Sequence, residues 1–350
     1  MEIEKNRVIR VAVVGAGLIG KERIKAVDVI TKRGRGIQLV GIHDPYSTDI
    51  SEISRQAKVK VVDRLEQIVE MNPDCVVVAA PHDTAPQIAS ELLDNSLRVL
   101  MEKPMGRNVE EAKALVGHCK YDGQLALGFN YRFFQGINRL ISDSLSGVFG
   151  ELVSVNLLLG HGGAPKMELG WKFDPIKAGG GCLIDPGIHL LDLVRLLFQS
   201  KPVVKSALGW KGFWKTGIEE ESHILMEANN AVINMQVSVV RWRSTFRMEI
   251  NGTDGYGVVT GRGRSYGVQE YRTGKRWGWM KGKSQTESEH VVLVSSGEEV
   301  FADEMDALLF DKCDSKIHPC SSSEGLQNMI LLEECLHALE LVNAHNEKKE

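Results

Sequence analysis

Apolar and polar positions change their rhythm along this chain. Residues 8–15 (VIRVAVVG) predict a strand that runs into a glycine turn, and residues 18–31 predict a helix, with Ile19, Ala26, Val27 and Ile30 at roughly helical spacing. Residues 37–43 (IQLVGIH) predict a second strand, and Val61 and Val62 a short third. The run Cys75–Ala80 is uninterrupted and apolar, as expected of a strand covered on both faces. A helix over 86–94, a strand at 99–101, a helix over 108–118 and a strand at 124–128 complete the series. Strand and helix thus alternate over the first 128 residues, which predicts a doubly wound parallel sheet with helices on both faces.

The pattern then shifts. Residues 132–146 predict a helix, 150–160 a long strand and 185–198 another helix. Residues 203–293 are mostly strand-like and punctuated by turn pairs such as Asn229-Asn230, Asn251-Gly252 and Asp254-Gly255. Helices over 300–311 and 322–343 follow, with a solvated tail at 347–350. Two domains are expected, 1–128 and 129–350, the second built on an antiparallel-rich sheet.

Composition narrows the function. The chain has 350 residues, 43% hydrophobic and 25% charged, the profile of an ordinary soluble globular protein. A formal net charge of −4 leaves no global basic field for nucleic acid. Cys75, Cys119, Cys182, Cys313, Cys320 and Cys335 are scattered, with no CxxC pair. That argues against a metal site and a disulfide framework and fits a reducing compartment. The basic and apolar N-terminus lacks an A-x-A-like cleavage site, and no apolar run nears the ~18 residues of a membrane span. A cytoplasmic protein with no membrane partner is expected.

The segment Gly15-Ala16-Gly17-Leu18-Ile19-Gly20 carries the first chemistry. It follows a predicted strand and opens a predicted helix, the context a dinucleotide phosphate loop requires. The first glycine permits a tight turn, the second admits the pyrophosphate, and the third lets helix and strand pack closely. Backbone N–H groups, those of Leu18 and Ile19 included, then meet the phosphate charge at a helix N-terminus. Asp44, at the end of the second strand, is placed to accept hydrogen bonds from the ribose hydroxyls and to repel a 2′-phosphate. NAD is therefore expected rather than NADP. Asp44 before Pro45 is also a good turn starter.

Ligands bind beyond the carboxyl ends of parallel strands. Pro81-His82-Asp83 and Glu102-Lys103-Pro104 both follow predicted strands, so Pro81, His82, Glu102 and Lys103 are cofactor candidates. Further on, Gly179-Gly180-Gly181 precedes Asp185 and His189, which share one face if a helix spans both. Asp185 also suits a helix N-cap, with Pro186 at the first helical position. Alcohol oxidation needs a base near the hydroxyl, a role that suits His189. The Lys103 ammonium is suited to stabilising alkoxide charge, and Asp185 to orienting His189 or a substrate hydroxyl.

In these segments, together with Asn130-Tyr131-Arg132, the chain resembles the Gfo/Idh/MocA oxidoreductases. The resemblance implies a Rossmann domain followed by an α/β domain on a large, mostly antiparallel sheet. It implies hydride transfer at a hydroxyl of a sugar, sugar derivative or cyclitol, with Lys103, Asp185 and His189 around the reacting carbon. It also implies a homodimer or homotetramer. One departure stands out: His82 replaces the Asn, and Ala85 the His, of the family's Pro-Asn-x-x-His, so those two contacts are not carried over.

Substrate candidates lie in the loop from His161 to Asp174. Trp171 suits stacking on a sugar face, and Lys172 suits hydroxyls or a phosphate. Asn130 and Arg132 follow the last predicted strand of the first domain and join the candidates. The basic, aromatic stretch 271–283 reads as an exposed hairpin, with contact to a nucleotide-sugar diphosphate as its other reading. Two alternatives to a dehydrogenase remain: an NAD-recycling enzyme that cleaves glycosides, and a non-enzymatic NAD-binding regulator. The presence of Lys103, Asp185 and His189 argues against the regulator.

Overall fold

The computed structural model describes residues 7–281, 288–310 and 317–343. The chain divides into two units. The first holds residues 7–130 with 299–310 and 318–326. The second holds 131–281, 288–298, 317 and 327–343. The boundary near residue 130 lies close to the expected one. The return of 299–310 and 318–326 to the first unit differs from the expected division.

In the first unit, β1 (Ile9–Val14) leads to α1 (Leu18–Lys32) and β2 (Ile37–His43). Two short helices, α2 (Ile50–Ala57) and α3 (Leu65–Glu70), follow where the sequence pattern marked none. Then come β3 (Cys75–Val78), α4 (Ala85–Asp94), β4 (Val99–Glu102), α5 (Val109–Gly117) and β5 (Leu125–Gly128). In the second unit the order is α6 (Gln135–Leu145), β6 (Leu152–Gly160), α7 (Pro175–Ala178) and α8 (Ile188–Phe198). After these come β7 (Val203–Lys211), β8 (Glu221–Ala228), β9 (Ala231–Ser238), β10 (Thr245–Gly252), β11 (Gly255–Thr260), β12 (Gln269–Lys275) and β13 (His290–Ser295). The chain continues through α9 (Val300–Phe310), β14 (Cys320–Ser321), α10 (Ser322–His337) and β15 (Leu339–Asn343).

The first sheet runs β14-β5-β4-β3-β1-β2, with every pair parallel except β14 on β5. The expected strand at Val61–Val62 is reduced to a single parallel bridge from Val61 to Ile42. Counting that bridge, the order is the 3-2-1-4-5-6 of doubly wound dinucleotide folds, with the reversal beside β1. The all-buried Cys-Val-Val-Val of β3 sits mid-sheet, and its β-branched side chains suit a strand covered on both faces. Burial also pushes the Cys75 thiol up to about 11, so it stays protonated. Below β1 the core joins Ile24, Val27 and Ile30 of α1 to Met305 and Leu309 of α9.

One buried charge network crosses this core. Arg23 on α1 is fully buried. Its Nε donates to Glu102 Oε1 at 2.7 Å, and its Nη2 to Glu304 Oε2 at 2.6 Å. The Phe301 ring lies 4.8 Å from the guanidinium carbon. Burial works against the charged guanidinium, but the two carboxylates more than offset it and raise its pKa.

The second sheet runs β13-β12-β11-β10-β6-β9-β8-β7-β15 and is antiparallel except at β6–β9 and β7–β15. The Asn229-Asn230 turn is confirmed. Both residues have positive φ, 49° and 65°, and they join β8 to β9 with Ala228 paired to Ala231. That two-residue geometry matches the right-handed strand twist. Along β8 and β9 burial alternates, so one face of the sheet is covered and the other open. Three expected helices change. The first begins at Gln135 after a tight turn over Asn130–Phe133. The last ends at His337, and the alternating Leu339-Glu340-Leu341 continues as a strand beside β7. The third, expected over 185–198, begins only at Ile188. The tail at 347–350 and Cys313 lie outside the described residues. No helix among the described residues is long and apolar enough to cross a membrane.

Removing Arg23 strands two carboxylates in the core. Arg23→Ala is therefore expected to cost about 3–5 kcal/mol of unfolding free energy. Arg23→Lys should recover only part, because an ammonium lacks the planar fork that reaches both acids. Urea unfolding of the three proteins checks this.

Candidate active site

In the first unit the candidate residues begin with a glycine turn at the end of β1. Gly15 has φ of +90°, and a Cβ there would lie 2.4 Å from the Ala79 carbonyl oxygen. A Cβ on Gly20 would meet the Gly15 oxygen at 1.9 Å, so helix and turn can close only on glycine. Gly17 is different: nothing lies within 4 Å of its Cβ position. It opens α1 with no side-chain cap and no acid in the first turn, while Leu18 is exposed and Ile19 half-buried. Unsatisfied N–H groups and the helix dipole are therefore left for an anion. These features fit the pyrophosphate of a dinucleotide.

Asp44 lies just beyond β2. Its Oδ2 accepts from Ala16 N at 2.7 Å, inside the glycine turn, and its Oδ1 accepts from Tyr46 N and Ser47 N at 2.9 and 3.0 Å. The carboxylate thus serves as turn starter and as a brace for the phosphate loop. A carboxylate accepts about four hydrogen bonds, which leaves capacity for a ribose hydroxyl. At the end of β3, Pro81 is half-buried and His82 buried. At the end of β4, Glu102 gives its carboxylate to Arg23, and Lys103 is half-buried before a cis bond to Pro104.

The second unit holds a compact polar cluster. His189 is 5% exposed in the first turn of α8, and its ring stacks on Tyr131 with centroids 3.9 Å apart and planes 9° apart. Burial pushes the Tyr131 phenol up, so it remains a neutral donor. Asp185 is not helical. Its φ of −146° and ψ of 106° are extended, and α8 starts only at Ile188. The physical reason is Pro186, whose ring disfavours helical geometry in the residue before it. The reading of Asp185 and His189 as neighbours on one helix face is therefore corrected, and so is the N-cap alternative. Asp185 Oδ2 accepts from Lys172 Nζ at 2.6 Å.

His161, just past β6, lies within electrostatic reach of Asp185 and Lys172. Burial lowers its pKa below the usual value, so the ring is neutral at pH 7. Its Nδ1 accepts from Gly163 N at 3.1 Å, which puts the proton on Nε2. Trp171 is half-buried, with Lys172 Nζ 5.6 Å from its ring centroid. Asn130 is 8% exposed. Arg132 belongs to a buried network with Asp192. It is 1% exposed and donates from Nε and Nη2 to Asp192 at 2.8 and 2.6 Å, while Asn328 also donates to that aspartate. Its guanidinium is spent on the core of the unit, which corrects its reading as a substrate ligand.

Several residues of this cluster escape the sequence. Tyr131 sits between the two candidates chosen from Asn130-Tyr131-Arg132. Arg262 lies 4.9 Å from the Tyr131 ring centroid and 3.8 Å from that of Tyr266. The only local signal was the run Gly261-Arg262-Gly263. Glu219 organises the triple glycine: its Oε1 accepts from Gly181 N at 2.9 Å and Leu183 N at 3.1 Å. A Cβ on Gly181 would sit 2.0 Å from the Glu219 carbonyl oxygen, so only glycine admits this approach. Burial pushes the Glu219 carboxyl up. The adjacent pair Glu219-Glu220, both buried, was its one sequence mark.

Comparison with known proteins places the two units. Residues 9–130 match the model described as an oxidoreductase family, NAD-binding Rossmann fold. Residues 134–257 match the Gfo/Idh/MocA C-terminal domain. Among curated relatives, glucose-6-phosphate 3-dehydrogenase of Bacillus subtilis is 26% identical over 200 residues, 56% of this chain and 56% of that protein. Inositol 2-dehydrogenase of Rhizobium meliloti is 28% identical over 207 residues, 57% of this chain and 58% of that protein. The matched stretches thus span little more than half of those relatives. Among solved structures, a levoglucosan dehydrogenase complexed with NADH and levoglucosan has a TM-score of 0.80 at 18% identity, covering 95% of this chain and 97% of that one. UDP-N-acetylglucosamine 3-dehydrogenase from Acidithiobacillus ferrooxidans has a TM-score of 0.74 at 20% identity, with 95% and 98% covered. The structures show a shared fold, and the two domain matches together show the family. Glycine turn, acidic strand end, Glu-Lys-Pro segment and two-sheet architecture agree with that assignment: the chain belongs to the Gfo/Idh/MocA family of oxidoreductases.

Proposed function

We propose that this protein is an NAD-dependent dehydrogenase that moves hydride between the nicotinamide and a secondary hydroxyl or keto group of a sugar, sugar derivative or cyclitol. The observation that carries the proposal is the buried His189 ring stacked on Tyr131, in one cluster with the Lys172–Asp185 pair. The names of the two curated relatives support a hexose or cyclitol ring as substrate.

NAD, when bound, supplies the hydride acceptor. Loss of hydride from a carbinol carbon also requires loss of the hydroxyl proton, and His189 is the base that takes it. Stacking on Tyr131 fixes the imidazole plane, so the ring does not have to find its orientation at each turnover. The Lys103 ammonium stabilises the developing alkoxide. Asp185 and Lys172 offer an acceptor and a donor to neighbouring hydroxyls, and as an internal ion pair they bind a neutral polyol without adding net charge. His161 presents its Nε2–H, Trp171 an apolar ring face, and Asn130 a further amide. We also place the protein in the cytoplasm, as a homodimer or homotetramer joined through the open face of the second sheet. Exposed Leu225 and Val232 on β8 and β9 support that surface.

Incubation with NAD and a panel of inositols, aldoses and UDP-sugars tests the reaction through NADH absorbance. A panel that gives no NADH with any member rejects it. Cleavage of a glycoside without NADH accumulation would instead mark transient oxidation. With the substrate found, His189→Ala should lower kcat by about 10²–10⁴-fold, as for loss of a general base. Lys103→Ala should lower it by about 10²–10³-fold, as for loss of an electrostatic stabiliser.

Cofactor choice is a separate outcome. The Asp44 carboxylate is expected to favour NAD over NADP in kcat/KM, and Asp44→Ala should shrink that ratio by about tenfold or more, since like charges in contact cost several kcal/mol. Steady-state rates with both cofactors decide it.

Glu219 gives a test of positioning. Glu219→Gln keeps an acceptor for Gly181 N and Leu183 N and should leave kcat/KM within about threefold. Glu219→Ala should lower it by roughly tenfold or more, because two buried N–H groups lose their partner. Equal rates in both variants would remove Glu219 from the site.

A further inference from the structure

Arg262 follows β11 in a short loop and ends among aromatic rings. Its guanidinium carbon lies 3.8 Å from the Tyr266 ring centroid, 4.9 Å from that of Tyr131 and 5.9 Å from that of Phe134. Its Nε is buried and makes no hydrogen bond among the described residues. The groups that hold its charge are Tyr131 and Tyr266, the latter also through a side-chain hydrogen bond. Aromatic faces and the single Tyr266 hydrogen bond hold a guanidinium without cancelling its charge, and a largely desolvated charge is best matched by an opposite one.

The other charges of the cluster sharpen this point. Lys172 and Asp185 neutralise each other at 2.6 Å. Arg262, Lys172 and Asp185 are the charges that act on His161, and Arg262 and Asp185 act on Tyr131. One positive charge is left over, and it sits against the same Tyr131 ring on which His189 stacks. A neutral polyol leaves that charge uncompensated. An oxyanion on the substrate compensates it.

We infer that Arg262 selects substrates bearing an anionic oxygen group, a phosphoryl or carboxylate substituent on the sugar or cyclitol ring. The inference rests on the dehydrogenase reading for its kinetics but not for its binding. The planar N–H fork of arginine matches both oxyanions, so the shared chemistry is recognition of two geminal oxygens.

The binding arm uses the full chain without cofactor. Inorganic phosphate and acetate are titrated at constant ionic strength, with chloride as reference, and thermal unfolding is followed for wild type, Arg262→Gln and Arg262→Lys. Wild type should show a saturable upward shift in Tm that Arg262→Gln loses and Arg262→Lys keeps in part. A shift with phosphate alone assigns a phosphoryl group, and a shift with acetate alone a carboxylate. The kinetic arm compares glucose, glucose 6-phosphate and glucuronate with NAD. An anionic member should exceed glucose in kcat/KM by about 10- to 100-fold in wild type, as expected of charge-assisted hydrogen bonds, and Arg262→Gln should remove most of that advantage. Absence of any anion shift in wild type overturns the inference, as does an equal shift in Arg262→Gln. If Arg262→Gln shows no cooperative unfolding, Arg262→Lys takes its place. Failure of every sugar to reduce NAD would count against the dehydrogenase reading and leave the binding arm to judge Arg262.

Discussion

Arg23 holds a full charge where no water reaches it, and much of the first unit is arranged around that fact. A guanidinium in such a place persists only if acids and hydrogen bonds replace its hydration. Glu102 comes from the end of β4, and Glu304 from a helix late in the chain. The same network therefore ties α1, which carries the phosphate turn, to the strand end that carries Lys103. It also explains why Gly128 has no side chain: a Cβ there would lie 2.8 Å from both Arg23 Nη2 and Glu102 Oε2. The return of α9 to the first unit follows as well, since Glu304 and the apolar Met305 and Leu309 close one side of the network.

A different constraint organises the second unit. Pro186 keeps Asp185 out of the helix, so Asp185 and His189 reach the cluster from different kinds of backbone. Glu219 then anchors the turn from a neighbouring segment by accepting from Gly181 and Leu183. The extended Asp185 accepts from Lys172 of the preceding loop, and the His189 ring stacks on Tyr131.

Those two arrangements account for what the sequence disclosed. The glycine turn, β1 to β5 and the acidic strand end were legible because each rests on local rules: a residue type, a period, a turn. The helices α2 and α3 were not, being short and weakly patterned. The strand β15 was not either, because its apolar run reads equally as the end of a helix until β7 is seen beside it. Among the proposed site residues, Asp185, His189, His161 and Lys172 were chosen by type. Arg132 was misread because its partner Asp192 lies 60 residues away. Tyr131, Arg262 and Glu219 gain their proposed roles only from packing between distant segments, and no local signal encodes that.

The division has a chemical basis. Dinucleotide phosphate is met by backbone N–H groups at a helix start, and backbone recognition needs only glycines at fixed spacing. Many sequences satisfy it, and all of them look alike. Substrate recognition as proposed for the second unit rests on side chains, and each takes its protonation state and direction from neighbours. His161 is neutral because burial lowers its pKa, and Tyr131 is protonated because burial raises its own. Such groups are tuned by environment rather than by identity. The cofactor half of a family enzyme is therefore readable in a string of letters. The substrate half becomes readable only once its charges have positions, with Arg262 and His189 both set against the Tyr131 ring.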